Sequence, residues 1–358
     1  MPTRIIGIMS GSSLDGLDVA LCQFDENVSS LNWEILDAIT IPYNSEWYNL
    51  LSTASSLSGF DLMHLDAVLG DFIGQQIKAL IDDRGWKADL IASHGHTVFH
   101  EPSLGFTSQI GSGAHISFQA NLDTITNFRN ADVAAGGQGA PFAPVADLAL
   151  FPGHQGYLNL GGIANINLIN AENNWSAWDI CPCNQALNFL ARRLDLRYDE
   201  GGRMASEGAI LDAIRHDLIA MYPFQGGKPR GLSNAEVETT WINYLGSRQE
   251  NNSDLLATTT LAIADVITQH ISSLIVRPAV ILVTGGGAYN DHLISLLQRN
   301  GNDFGLTYEI PSSKWIDFKE SLLIAYLGYL TMQGKPYNMH SLTGASRNMG
   351  GGALYKAL

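Results

Sequence analysis

The sequence predicts an α/β protein of two similar domains built on parallel-sheet layers and facing one another across a cleft. Three observations carry that expectation. Strand-like apolar runs alternate with helix-periodic stretches along the chain. A strand, a glycine-containing turn and a second strand open the chain at residues 4–24, and the same arrangement returns at 156–170. The chain has 358 residues, 46% of them hydrophobic, which supplies two cores at about 100–200 residues per domain.

The elements follow in order. Residues 4–9 (RIIGIM) are an apolar run ended by Ser-Gly-Ser-Ser, and 17–24 (LDVALCQF) resume an alternating pattern, so a hairpin is expected. Over residues 60–81, Leu62, Leu65, Leu69, Phe72, Ile73, Ile77 and Leu80 recur at three- and four-residue steps, which predicts an amphipathic helix. DLIASHGHTVFH reads as a strand followed by a polar, histidine-rich loop, and residues 122–128 as another strand. The second half repeats the hairpin in GYLNLGGIANINLIN. It continues with helices at about 184–197 and 255–276, a buried strand at 279–283, a helix from near Asn290 and a last helix at about 317–333. A junction between Pro144 and Gly153 sets the expected domains at 1–145 and 146–335, with a segment at about 336–358 rejoining the first.

Composition excludes several functions. With 20 basic against 35 acidic side chains and no basic run, a net charge of −15 does not suit wrapping nucleic acid, although a small anion can still be held by backbone N–H groups at helix starts. Cys22, Cys181 and Cys183 are too few for a disulfide framework. The N-terminal apolar stretch is too short for a signal peptide, and the apolar region around 257–283 is interrupted by Asp265, His270 and Arg277, so no membrane span is expected. These features point to a reduced, cytoplasmic protein.

Six segments could carry chemistry. In GSSLDGLD (11–18), small residues let backbone approach a phosphate, serine hydroxyls can donate to it, and Asp15 and Asp18 offer oxygens for magnesium-bound water; a plain hairpin turn is the alternative. Gly161-Gly162 in LNLGGIANI repeats that logic, and VTGGGAYN (283–290) places glycines between a strand and a helix start without the residues of a Walker loop. In SAWDICPCNQALN (176–188), Asp179 ends a strand as a possible proton acceptor or as a helix cap, while Cys181 and Cys183 lack the partners of a zinc site. In SHGHTVFHEP (93–102), His94, His96 and His100 have no acidic cluster to complete a metal shell. Neutral histidine with Thr97 suits a sugar's hydroxyls, and a buried structural role is the alternative. Arg129 and Asp132 stand in a charge-poor stretch, where arginine suits a carboxylate or phosphate and an internal pair is the other reading.

Together, IGIMSGSSLDGLDVAL, SHGHTVFHEP, NFRNADVAAGGQGAPFAP, LNLGGIANI, WDICPCNQALN, LVTGGGAYN, KESLLIAYL and LTGASRNMGG occur in an order that resembles the anhydro-N-acetylmuramic acid kinases, within the acetate/sugar kinase–heat-shock–actin superfamily. The resemblance implies two actin-like, ribonuclease-H-like α/β domains and a kinase that hydrolyses a 1,6-anhydro ring while phosphorylating the freed O6 from ATP with Mg2+. It implies Asp179 as the base that activates water. It assigns ATP to Gly11, Ser12, Ser13, Leu14, Asp15, Gly16, Leu17, Asp18, Asn159, Gly161, Gly162, Gly285, Gly286, Gly287 and Asn290, with Asp15 touching the metal through water. His96, Thr97, Arg129, Asp132 and Glu320 would lie along the sugar, with Arg129 facing its lactyl carboxylate. A homodimer is implied too. The chain departs from the family's pattern at Ser12, at Cys181-Pro182-Cys183, where Gly-Pro-Gly is usual, and at 228–234. A kinase of a different sugar, or a non-catalytic sugar or nucleotide sensor, is the alternative on the same fold.

Overall fold

The computed structural model describes all residues except 1, 12, 27–30, 170–174, 225, 227–230, 277, 338–339 and 358. The chain divides into two compact units, residues 1–152 with 318–358, and residues 153–317. These seams lie at 152 and 317, against the 145 and 335 drawn from the sequence, so most of the last long helix belongs with the first unit.

In the first unit, β1 (Thr3–Ser10), β2 (Gly16–Glu26) and β3 (Leu31–Pro42) form an antiparallel meander. β4 (Leu90–Glu101) lies parallel to β1, and β6 (Thr124–Thr126) parallel to β4. β5 (Phe106–Ile110) folds back on β4, and β12 (Ala353–Tyr355) closes the far edge against β6. The helix Gly59–Arg84 crosses over between β3 and β4. Ser58 caps it by accepting from the Asp61 N–H, Gly85 ends it in the left-handed conformation, and Leu65, Leu69, Ile73 and Ile77 face the core.

The second unit repeats the plan. β7 (Gly156–Leu160), β8 (Ile163–Ile169) and β9 (Trp175–Pro182) are an antiparallel meander, β10 (Ala279–Thr284) is parallel to β7, and β11 (Leu306–Glu309) is parallel to β10. The helix Asn252–Ser272 is buried along most of its length, which is why its sequence is apolar or small nearly all round.

Local differences from the sequence reading have physical causes. The histidine-rich stretch is strand, not loop: β4 runs on to Glu101 by pairing with β5. The 122–128 strand shrinks to three residues, because Asn127 turns left-handed (φ 62°) directly after it. The helix expected to reach 197 stops at Arg192. The last helix, Ser313–Met332, begins earlier than expected and is broken at Phe318 (φ −112°, ψ 19°). β3 has no counterpart in the sequence reading; its side chains are half-exposed on both faces, which leaves little apolar alternation to read.

Candidate active site

The expected site residues gather in two clusters, one per unit. In the first unit the turn 11–15 joins β1 to β2. Leu14 takes a left-handed φ of 57° and its N–H donates to the Gly11 carbonyl at 3.3 Å, while Ser13 and Asp15 stay exposed. Ser12 lies outside the described residues. Gly16 serves the sheet: a Cβ there would collide with the Ile41 carbonyl of β3. Asp18 accepts from Thr40 Oγ1 at 2.5 Å, and its carbonyl accepts from Ser321 Oγ at 2.8 Å, which ties the last helix beside Glu320 to β2.

His94 and His96 diverge although two residues apart in one strand. Gly95 between them has a φ of 73° and sits against the Ile110 carbonyl, where no side chain would fit, so the regular alternation is broken. His96 is buried, with Nδ1 3.3 Å from Ser10 Oγ, and burial holds its ring below the usual histidine range. His94 is buried against Arg129, whose Nε donates to His94 Nε2 at 2.9 Å; burial and that cation push the imidazole down to about 3. Thr97 is exposed and receives a long 3.4 Å contact from Gln109 Nε2. Burial displaces Glu320 above the usual carboxylate range and nearby Asp18 adds to it, while Arg129 and Lys319 oppose the shift. Lys319 itself pairs with buried Asp147 at 2.8 Å, and among the described residues no ion pair joins Arg129 to Glu320. Asp132 corrects an expectation. It is 1% exposed, with Oδ1 taken by Thr343 Oγ1 at 2.8 Å and Oδ2 by the Gly139 N–H at 2.7 Å, so it braces a loop rather than facing a ligand.

In the second unit, Asn159, next to last in β7, has its side chain between Gly161 and Gly285: a Cβ atom on either glycine would lie 3.3 Å and 2.5 Å from it, respectively. Gly285 also takes φ 84° and ψ 167°, a conformation reserved for glycine. The carbonyls of Gly161 and Gly162 accept the N–H groups of Cys183, Asn184 and Gln185 at 2.9–3.1 Å, so the start of the helix Asn184–Arg192 is satisfied by this turn. That helix has no side-chain cap, which removes the capping role for Asp179. Asp179, on β9, instead accepts from the Leu232 N–H at 2.7 Å. Asn290 caps the helix Asp291–Asn302 by accepting from the Leu293 N–H at 2.9 Å.

Gly286 and Asn290 line a cavity of about 710 Å³ together with Asn184, Asn188, Thr260, Tyr289 and the segment 197–201. Its size falls in the range of small-molecule sites. Arg197, Tyr198, Asp199, Glu200 and Gly201 escape the sequence reading. They sit on an irregular stretch with no periodicity, and the Gly201-Gly202 pair is the one signal that marks it. Among the described residues no group of three His, Cys, Asp or Glu side chains is placed to hold a metal ion. Cys181 and Cys183 are buried thiols, and burial raises Cys183 to about 12, which disfavours the reactive thiolate.

Both units carry the same meander-plus-parallel sheet with glycine turns at the strand ends, and a ligand-sized cavity lies beside the second set, so the class of the chain is a two-domain α/β protein. A family model described as anhydro-N-acetylmuramic acid kinase matches residues 3–357. The chain is 30% identical over 375 residues to the anhydro-N-acetylmuramic acid kinase of Bacillus cereus strain ATCC 10987, covering 96% of this chain and 97% of that protein. It is 32% identical over 376 residues to that of Synechococcus elongatus strain PCC 7942, with the same coverage. Among solved structures it is similar to the activator of 2-hydroxyisocaproyl-CoA dehydratase from Clostridium difficile with bound ADPNP, at a TM-score of 0.42 and 12% identity, covering 94% of this chain and 99% of that one. The chain belongs to the anhydro-N-acetylmuramic acid kinase family and is a phosphotransferase of cell-wall sugar recycling.

Proposed function

We propose that Asp179 is the general base of this kinase and that the two clusters divide its substrates, the sugar going to the first unit and most of the nucleotide to the second. The reaction consumes the anhydro sugar, water and ATP and yields N-acetylmuramic acid 6-phosphate and ADP. Asp179 takes a proton from water, whose oxygen bonds to the anomeric carbon as the bond from that carbon to O6 breaks. O6 leaves as the phosphoryl acceptor, and the bond from the γ-phosphorus to the ADP oxygen breaks as the new one forms.

The observation that carries this reading is the fixing of the Asp179 carboxylate by the Leu232 N–H, on a strand beside the Gly161-Gly162 turn and without a helix-capping duty. Asn159, Gly161, Gly162, Gly285, Gly286, Gly287 and Asn290 would hold ATP with the cavity they border. Gly11, Ser12, Ser13, Leu14, Asp15, Gly16, Leu17 and Asp18 would meet its phosphates from the first hairpin. The exposed Asp15 and the nearby Asp18 offer the hard oxygen donors that water-bound Mg2+ takes, and the ion would neutralise phosphate charge. His96, Thr97 and Glu320 would line the sugar, and the fork of Arg129 matches its lactyl carboxylate. Asp132 drops out of the sugar set. No described helix is long and apolar enough to cross a membrane, and we take the enzyme to be a cytoplasmic homodimer, to be checked by light scattering.

Asp179→Asn tests the assignment. Loss of a general base predicts a fall in kcat of about 10³-fold with ATP affinity within twofold of the wild type. Turnover that survives the substitution removes Asp179 from the role.

A further inference from the structure

We propose that His94, Asp132 and Thr343 form a positioning relay that fixes the direction of the Arg129 guanidinium, and that the C-terminal LTG segment thereby belongs to the sugar site. The inference rests on the reading of Arg129 as the partner of the sugar's carboxylate.

Arg129 stands just after β6, at the start of the short helix Asn130–Ala134. Two of its donors are fixed within the protein: Nε on His94 Nε2 at 2.9 Å and Nη1 on the Gly139 carbonyl at 2.8 Å. For Nε2 to accept, His94 must be neutral with its proton on Nδ1, and the Gly95 carbonyl lies 3.0 Å from that nitrogen to receive it. The ring's burial keeps it uncharged throughout the neutral range, and the two hydrogen bonds select the tautomer. His94 is therefore a permanent acceptor and not a switch.

The second anchor is held in turn. The Gly139 N–H donates to Asp132 Oδ2 at 2.7 Å, and Thr343 Oγ1 donates to Asp132 Oδ1 at 2.8 Å. The Gln138 N–H reaches the Thr343 carbonyl at 2.8 Å, and the Ser346 N–H reaches the Ala135 carbonyl at 2.9 Å. Residues near the C-terminus thus strap down the loop whose carbonyl orients the arginine. The Phe142 ring, 5.9 Å from the guanidinium carbon, covers one side.

A guanidinium carries five N–H donors, so these two bonds leave the Nη2 edge unassigned. Glu320 feels the Arg129 charge, but among the described residues no ion pair joins a carboxylate to that edge. An arginine already held on one side loses less freedom when it grips a carboxylate with the other. The chemistry that fits is a planar monoanion presented edge-on.

Steady-state kinetics of the full-length enzyme test the relay. His94→Phe fills the ring's space without an acceptor, and His94→Gln restores an acceptor at a similar reach. The first is expected to raise KM for the anhydro sugar at least about tenfold with KM for ATP unchanged, and the second to recover most of that loss. Thr343→Val, one link further out, is expected to raise the same KM about threefold. In an Arg129→Ala background, His94→Phe adds nothing. Multiplying effects in that background, or equal changes in both KM values, overturn the relay. If His94→Phe does not fold, an unchanged sugar KM in Thr343→Val overturns it instead. Should Arg129→Ala itself leave the sugar KM at the wild-type value, the carboxylate assignment fails. The relay is then judged by the 15N shift of His94 Nε2, which must move when Arg129 is removed.

Discussion

The two units share one strand plan and differ in what they place on it. In order across the sheets, β3-β2-β1-β4-β6 in the first corresponds to β9-β8-β7-β10-β11 in the second, with the same antiparallel and parallel pairings. The first unit carries charge: Asp15, Asp18, Arg129 and Glu320, with neutral histidines between them. The second sets amides and glycines at its strand ends, Asn159, Asn184, Asn290, Gly161, Gly162 and Gly285 to Gly287, beside Asp179 and the charged cavity residues Arg197, Asp199 and Glu200. The turns differ too. Residues 11–15 form an exposed loop, whereas the carbonyls of Gly161 and Gly162 are occupied by the helix that starts at Asn184. Of the first unit's charges only Arg129 is a cation and suits a carboxylate, whereas amides with closely approachable backbone suit a polyphosphate. The strand plan is common to both units, and what separates them is the side chains set at the strand ends.

That contrast breaks most sharply in a crossed pair of substitutions. Arg129→Ala removes a charge-assisted contact and is expected to raise the sugar KM about 10- to 100-fold while leaving the ATP KM alone. Gly285→Ala forces a side chain into φ 84° and 2.5 Å from Asn159 Oδ1. It is expected to cost about 1–3 kcal/mol of local strain and to weaken ATP while sparing the sugar. Measured KM values that move together in either variant would erase the division of labour.

Two titrations sharpen the picture of the first unit. His94 refuses a proton that the unfolded chain accepts near its ordinary value, so the folded state binds fewer protons between about pH 6.5 and pH 3. Stability therefore falls as pH drops through that window, by at most about 1.4 kcal/mol per pH unit for one group. His94→Gln should flatten that slope in thermal melts taken from pH 6.5 downward. Glu320 has the opposite sense. Its carboxyl is raised in the folded state, so the folded state binds more protons just above the ordinary carboxylate range and stability declines as pH rises through it. Glu320→Gln should remove that decline, leaving the variant's Tm closest to the wild type at the acid end and relatively higher above it. A gap of the reverse sign would mean that Arg129 outweighs burial and Asp18 at this carboxylate.

How much of this was legible depends on where information sits in a chain. The two hairpins, the Gly59–Arg84 helix and the buried β10 could be read because burial enforces a period on their residues. β3 lacks that period, since neither face is fully buried. The fate of the histidines turned on one glycine: Gly95 breaks the alternation that would have put His94 and His96 on the same side. Asp132 looked like a ligand because a charge in an apolar stretch is conspicuous, but its partner Thr343 lies too far along the chain for spacing to reveal. The cavity-lining residues 197–201 had no signal beyond a glycine pair, because irregular segments take their conformation from what they pack against.

The smallest expected effect examines the amide side of the comparison at Asn184. Its Nδ2 donates to the Leu160 carbonyl at 2.9 Å, and its side chain lies along Gly286 and Gly287 at the rim of the cavity. Asn184→Ala removes one neutral hydrogen bond and leaves the carbonyl of Leu160 without that donor, a loss of about 1 kcal/mol in stability. If the cavity holds the nucleotide, the ATP KM should rise about three- to fivefold with the sugar KM unchanged, because the Leu160 end of β7 would no longer be pinned to the helix start. A sugar KM that rises while the ATP KM stays fixed would assign the cavity to the other substrate. It would also reverse the assignment of ligands to the two units, even with every strand in place.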